Sequence, residues 1–161
     1  VNEAVKTTTN RESHLKIRLL LDKKGVFRTE LHTVQFSGSP VRLGIANIRI
    51  DPDDVFLYHK TTFRKIYKTA RENSPEYDDV VLINNRGEIT ETTIANIVLQ
   101  VDKTFYTPPV ESGLLPGTFR QHLLRKGLIR EKTLTTDDLR RAEQIWLINS
   151  VRKWYPARLL D

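Results

Sequence analysis

Short apolar runs, each cut off by a turn, constrain this 161-residue chain more than any other feature. Leu15, Ile17, Leu19 and Leu21 recur at every second position, the period of a strand, over His14 to Leu21. Asp22-Lys23-Lys24-Gly25 reads as a turn and Val26 to Val34 as the returning strand of a hairpin, broken by Ser37-Gly38-Ser39-Pro40. Val41 to Ile50 reads as a strand kinked between Ala46 and Asn47. Asp79 to Asn84 is a buried strand, followed by the turn Asn85-Arg86-Gly87-Glu88. Ile94 to Val101 and Thr104 to Thr107 form a hairpin, and Gln144 to Ser150 is a final buried strand; the remaining stretch to Asp161 is short and basic.

Helices interrupt the strands. Phe63, Ile66, Tyr67 and Ala70 keep the spacing of a buried helical stripe, with Thr61 or Thr62 as its cap. Thr118 to Lys126 reads as a second helix ended by Gly127. Thr135 or Thr136 caps a third, with Asp137 and Asp138 in its first turn and Arg140 and Arg141 later, the order that suits the helix dipole. Strands dominate, so the class is α+β. Residues 1–13 are polar and unpatterned, as in a flexible lead or linker.

Composition removes several function classes. With 39% hydrophobic and 29% charged residues the chain reads as a soluble globular protein. No apolar run approaches the ~18 residues of a membrane helix, and the start, Val1-Asn2-Glu3-Ala4, lacks the features of a signal peptide. Zero cysteines exclude a disulfide scaffold and a thiolate metal site. The expectation is a cytoplasmic protein with no metal. The net charge of +6 is scattered, without zinc-finger spacing or an RNA-recognition signature, so neither nucleic acid nor membrane is an expected partner. The absence of methionine points to a processed chain, a domain cut from a longer polypeptide, or a trimmed one.

Three elements carry chemistry. Lys60 follows the apolar run Val55-Phe56-Leu57-Tyr58, so its stem is expected at a strand edge or buried wall, partly desolvated and with a freed amine. Glu91 leads into the apolar strand, whereas Glu88 sits in the turn. Gly113-Leu114-Leu115-Pro116-Gly117-Thr118 places glycine where a helix opens, and backbone N–H groups there bind phosphate. Each is weak alone, since most lysines are surface charges and prolines near helix starts are common. An amine, a carboxylate and a phosphate cradle together match the needs of pyridoxal phosphate.

In order and wording these phrases resemble the fold-type IV pyridoxal-phosphate enzymes, the class IV aminotransferase family. The resemblance rests on Glu91-Thr92-Thr93-Ile94-Ala95-Asn96-Ile97, Tyr106-Thr107-Pro108-Pro109 and Leu114-Leu115-Pro116-Gly117-Thr118-Phe119-Arg120, within a match from about Leu15 to Pro156. His59-Lys60-Thr61-Thr62-Phe63-Arg64 and Trp146-Leu147-Ile148-Asn149-Ser150-Val151-Arg152 look most like the 4-amino-4-deoxychorismate lyase domain, often fused to aminodeoxychorismate synthase component I.

The resemblance implies a D-amino-acid aminotransferase-like fold, mostly its larger C-terminal β-barrel-like domain over residues 51–161. It makes residues 14–50 a remnant and connection of the smaller N-terminal domain, most of which is missing. It implies pyridoxal 5'-phosphate as cofactor, Lys60 as the Schiff-base lysine, and Glu91 as the carboxylate on the pyridine nitrogen. Leu115 would pack on the ring, with Gly117 and the amides of Thr118 and Phe119 as the phosphate cradle. Ser150 would touch the phosphate, and Ile94 and Ala95 would lie along the cofactor. Arg64 and Arg152 are candidates for the carboxylates of a small anionic substrate. The implied reaction releases pyruvate from 4-amino-4-deoxychorismate and leaves 4-aminobenzoate for folate synthesis. A branched-chain or D-amino-acid aminotransferase, or a non-catalytic domain of a synthase fusion, are the alternatives. Implied partners are a second copy of the chain and a glutamine amidotransferase.

Overall fold

The computed structural model describes residues 14–36 and 38–160; the lead expected over residues 1–13 lies outside them. Two compact units divide between Gly38 and Ser39. The first is an antiparallel hairpin of β1 (His14–Leu21) and β2 (Phe27–Val34), in unbroken register from His14↔Val34 to Leu21↔Phe27. The Asp22 carboxylate accepts from the backbone N–H groups of Lys24 and Val26, at 2.8 and 2.9 Å. Gly25 closes the turn at φ +82°, a conformation that costs other residues strain.

In the second unit the strands close on themselves. They are β3 (Val41–Ile50), β4 (Asp79–Asn84), β5 (Ile89–Thr92), β6 (Asn96–Val101), β7 (Thr104–Thr107), β8 (Arg130–Glu131), β9 (Gln144–Asn149) and β10 (Lys153–Leu159). They form an eight-stranded mixed sheet in the order β5-β4-β3-β10-β9-β6-β7-β8. A further pairing of β5 with β6, through Glu91↔Asn96, turns β3, β4, β5, β6, β9 and β10 into a barrel-like ring. The helices are α1 (Lys65–Glu72), α2 (Thr118–Arg125) and α3 (Thr136–Arg141).

Strand alternation sorts the core. Leu43, Val81, Ile97, Leu99, Ile145 and Leu147 join one cluster with Leu139 of α3. Their neighbours face the other way: Val80 and Leu82 pack with Tyr67 and Ala70 of α1, and Val98 and Ile148 with Leu123 of α2. Every residue of β4 is therefore buried, as expected for a strand covered on both faces.

Several elements depart from the sequence reading for identifiable reasons. The unit boundary falls after Gly38 rather than Ile50, because β3 pairs in parallel with both β4 and β10. The kink expected at Ala46-Asn47 is a register shift between Ile45 and Arg49. The helix after Lys60 starts at Lys65, with no side-chain cap. Thr61 Oγ1 instead accepts from the N–H of Phe63 at 3.0 Å, and Phe63 stays outside the helix. Strand β10 is hidden in the sequence by Pro156. Pairing with β3 begins only at Ala157, so the ring of Pro156 precedes the ladder it would interrupt. Thr135 does cap α3, reciprocally with Asp138. Among the described residues no helix is long and apolar enough to cross a membrane.

Candidate functional site

The β5–β6 hairpin that closes the ring also builds the site. Its tip is Thr93-Ile94-Ala95, held by the Thr92 N–H donating to the Ala95 carbonyl at 2.9 Å. From β4, Asp79 Oδ1 accepts from the Thr93 N–H at 3.2 Å and its hydroxyl at 2.6 Å. Arg64 Nη2 donates to the Thr93 carbonyl. The tip is thus tied to β4 and to the start of α1.

Glu91 sits at the centre, 5% exposed. Its Oε1 accepts from the Tyr67 hydroxyl at 2.7 Å and the Leu115 N–H at 3.2 Å, and its Oε2 accepts from Asn96 Nδ2 at 3.1 Å. Burial pushes its carboxyl up to about 7, against the lowering effect of the Tyr67 and Leu115 hydrogen bonds and of the Arg64 and Lys60 charges. The same burial, with the Glu91 charge, raises the Tyr67 hydroxyl. The Arg64 guanidinium lies 4.2 Å over the Tyr67 ring. A carboxyl so balanced can hold or release a proton near neutral pH. Oε2 takes one donor from within this cluster, and a carboxylate oxygen has capacity for a second.

The loop before α2 docks on this carboxylate. Asn96 Nδ2 also donates to the Leu115 carbonyl at 2.9 Å. A β-carbon at Gly117 would lie 2.3 Å from Asn96 Oδ1, so glycine is required there for close approach and not for an unusual φ. Gly117 offers α2 no side-chain cap, and the first N–H groups of a helix have no intrahelical acceptor. At that helix start Thr118 Oγ1 and Ser150 Oγ are 2.7 Å apart. They line an open depression of about 380 Å³ with Phe119, His122, Arg125 and Lys153. Arg120, 1% exposed, anchors the same helix by donating to the Pro108 carbonyl at 2.7 Å and to Glu131 at 2.5 Å.

The structure therefore joins Glu91, Leu115 and Gly117 directly, with Arg64 beside them and the Lys60 charge acting on Glu91. Thr118, Phe119 and Ser150 gather at the start of α2. Ala95 is buried in the hairpin, whereas Ile94 at its tip is 56% exposed. Arg152 is held by Asn149, whose amide also reaches the Ile94 carbonyl at 3.5 Å: the Arg152 backbone N–H donates to Asn149 Oδ1 at 2.8 Å and its guanidinium is 5.6 Å from the Tyr155 ring. The run before Lys60 is buried in part: Leu57 is 1% exposed and Tyr58 packs beside it. Val55–Tyr58 is a 3-10 turn capped by Asp54, with Val55 and Phe56 exposed, and Lys60 itself is exposed.

Tyr67 and Asn96 escaped the sequence reading as site residues. Tyr67 falls on the apolar stripe of its helix, where an aromatic ring reads as core. The signal for Asn96 is an amide set directly before the apolar run Ile97-Val98-Leu99.

The amino-transferase class IV family profile matches residues 1–160. A Schizosaccharomyces pombe protein named "Putative aminodeoxychorismate lyase" is 40% identical over 102 residues, covering 59% of this chain and 44% of that protein. The "Aminodeoxychorismate lyase" of Vibrio harveyi is 25% identical over 132 residues, covering 78% and 49%. The chain spans about half the length of these curated relatives. The crystal structure of a "Putative amino-acid aminotransferase" from Mesorhizobium loti superposes with a TM-score of 0.90 at 31% identity, covering 99% of this chain and 80% of that one.

Proposed function

The chain belongs to the amino-transferase class IV family, and from that premise we propose that it forms the pyridoxal-phosphate site of a 4-amino-4-deoxychorismate lyase, releasing pyruvate and leaving 4-aminobenzoate. The observation that carries the reading is Glu91, a buried carboxyl lifted to about 7 and held by Tyr67, Asn96 and Leu115. The lyase names of the Schizosaccharomyces pombe and Vibrio harveyi relatives support the choice of reaction.

The residues present fit the cofactor. A pyridine nitrogen needs a fixed proton partner, and Glu91 Oε2 has capacity for another donor. A phosphate needs N–H and O–H donors with no β-carbon in the way. The start of α2 supplies the amides of Thr118 and Phe119, Gly117, and the hydroxyls of Thr118 and Ser150. When bound, the cofactor supplies an electron sink for negative charge on the substrate. Glu91 would keep the ring nitrogen protonated through Oε2. Lys60 would supply the amine that holds the cofactor and, once displaced, take and return a proton at Nζ. Leu115, pinned by its own N–H and carbonyl, would face the ring, and Ile94 and Ala95 would border it. Arg64 and Arg152 would meet the substrate's carboxylates, Arg64 with the part of its fork not given to Thr93. A second copy of the chain, a glutamine amidotransferase and a cytoplasmic setting remain part of this proposal.

The test is pyruvate release from 4-amino-4-deoxychorismate by the polypeptide that carries this chain, with and without Lys60→Ala. The variant is expected to lose turnover and to lose the adduct that borohydride fixes on Lys60; unchanged turnover refutes the assignment. A second reading, an aminotransferase, is favoured by the name of the Mesorhizobium loti structure. Amino transfer to 2-oxoglutarate in place of pyruvate release would establish it. Neither reaction and no borohydride adduct would leave a non-catalytic domain.

A further inference from the structure

We propose that Asn96 is a positioning residue that locks the Glu91 carboxylate and the Leu115–Gly117 loop into one rigid unit facing the cofactor. The inference rests on the cofactor reading for its purpose, but its geometry stands independently.

Glu91 and Asn96 are directly opposed across the pairing that closes the ring, so their side chains leave the same face. Asn96 is 6% exposed, and both protons of its amide are used: one on Glu91 Oε2 at 3.1 Å, the other on the Leu115 carbonyl at 2.9 Å. Leu115 returns its own N–H to Glu91 Oε1 at 3.2 Å. The three residues thereby close a cycle of hydrogen bonds spanning β5, β6 and the loop. The amide can sit only one way round, because reversing it would aim Oδ1 at two acceptors. In this orientation Oδ1 faces Gly117, where a β-carbon would come within 2.3 Å. One planar group therefore sets both the direction of Oε2 and the distance from the carboxylate to the start of α2. An asparagine serving only to satisfy a strand end would not need to touch the carboxylate, the Leu115 carbonyl and Gly117 together.

The other groups acting on Glu91 are Tyr67 from α1, and Arg64 and Lys60 from the segment before it. Tyr67 donates to Oε1 and Arg64 to the Thr93 carbonyl, whereas Asn96 holds Oε2 and the Leu115 carbonyl, so substitutions at Asn96 and Gly117 address the coupling itself.

The experiment tracks the Glu91 carboxyl by carbon-13 NMR in the cofactor-free protein and measures the Kd for pyridoxal phosphate by fluorescence. The wild type is compared with Asn96→Ala and Gly117→Ala, with thermal melts to establish that each is folded. Removing one donor from a buried carboxylate is expected to move the Glu91 midpoint upward by about 1 pH unit and to weaken cofactor binding roughly tenfold. Gly117→Ala leaves every donor in place and presses on Oδ1. It is expected to move the Glu91 midpoint as well, which a purely local role of Gly117 would not do. An unchanged Glu91 midpoint in folded Gly117→Ala overturns the coupling even where Asn96→Ala does not fold, and unchanged midpoint and Kd in folded Asn96→Ala overturn it outright. Failure of the wild type to bind pyridoxal phosphate would refute the cofactor reading, while the midpoints would still decide the role of Asn96.

Discussion

Replacing Glu91 with glutamine should reshape how stability depends on pH. In the unfolded chain this carboxyl titrates near its ordinary 4.5, and burial in the folded chain lifts it to about 7. Between those values the folded state holds a proton that the unfolded state has released, so stability falls as pH rises. The contribution is full below about 4.5 and gone above about 7. With ~1.4 kcal/mol per pH unit of separation, the loss across this window is about 3 kcal/mol. Glutamine does not titrate. It places an amide N–H against Asn96 Nδ2, where Oε2 now accepts at 3.1 Å, and that mismatch costs ~1–3 kcal/mol at every pH. The mismatch offsets the curve and leaves its slope untouched. Glu91→Gln should therefore be less stable than wild type in acid and draw level with it or pass it in mild alkali. Urea denaturation of both cofactor-free proteins from about pH 4.5 to 8 measures the difference, which at ~2–4 °C per kcal/mol should also appear as ~6–12 °C in relative Tm. Parallel stability curves would mean that Glu91 does not keep its proton on folding, and the reasoning would fall.

Other substitutions test the supporting groups. Tyr67→Phe removes the 2.7 Å hydrogen bond to Glu91 Oε1, a lowering influence on that carboxyl. It should raise the Glu91 midpoint seen by carbon-13 NMR and cost about 2 kcal/mol, more above neutral pH than below. Arg120→Ala strips the Pro108 carbonyl of its donor and leaves a cavity where a fully buried side chain stood. A loss of about 3 kcal/mol in urea denaturation is expected. Thr135→Ala breaks the capping box of α3 and should lower stability by about 1 kcal/mol, a drop of ~2–4 °C in Tm with no change at Glu91.

Local order was legible in the residues themselves. Alternation in Leu15, Ile17, Leu19 and Leu21, the Thr135 cap with its acidic first turn, and the apolar run of β4 arise from pleat, capping and burial, which act over a few positions. Lys60, Glu91 and the Leu115–Gly117 phrase could be singled out because each residue type carries its chemistry wherever it stands. What the tertiary structure alone decided is how they meet. The Glu91↔Asn96 pairing closes the ring. The loop that caps the carboxylate begins 24 residues later in the chain, and the β10 strand that completes the ring contains a proline that argues against a strand. Lys60 stands exposed after a 3-10 turn of which Leu57 is buried, and Tyr67, one of several apolar positions on its helix, turns its hydroxyl onto Glu91. Hydrogen bonds between segments remote in sequence depend on where each backbone is placed, and no local period records that placement. The lift of the Glu91 carboxyl is of the same kind, since desolvation belongs to the packed surroundings and not to the residue.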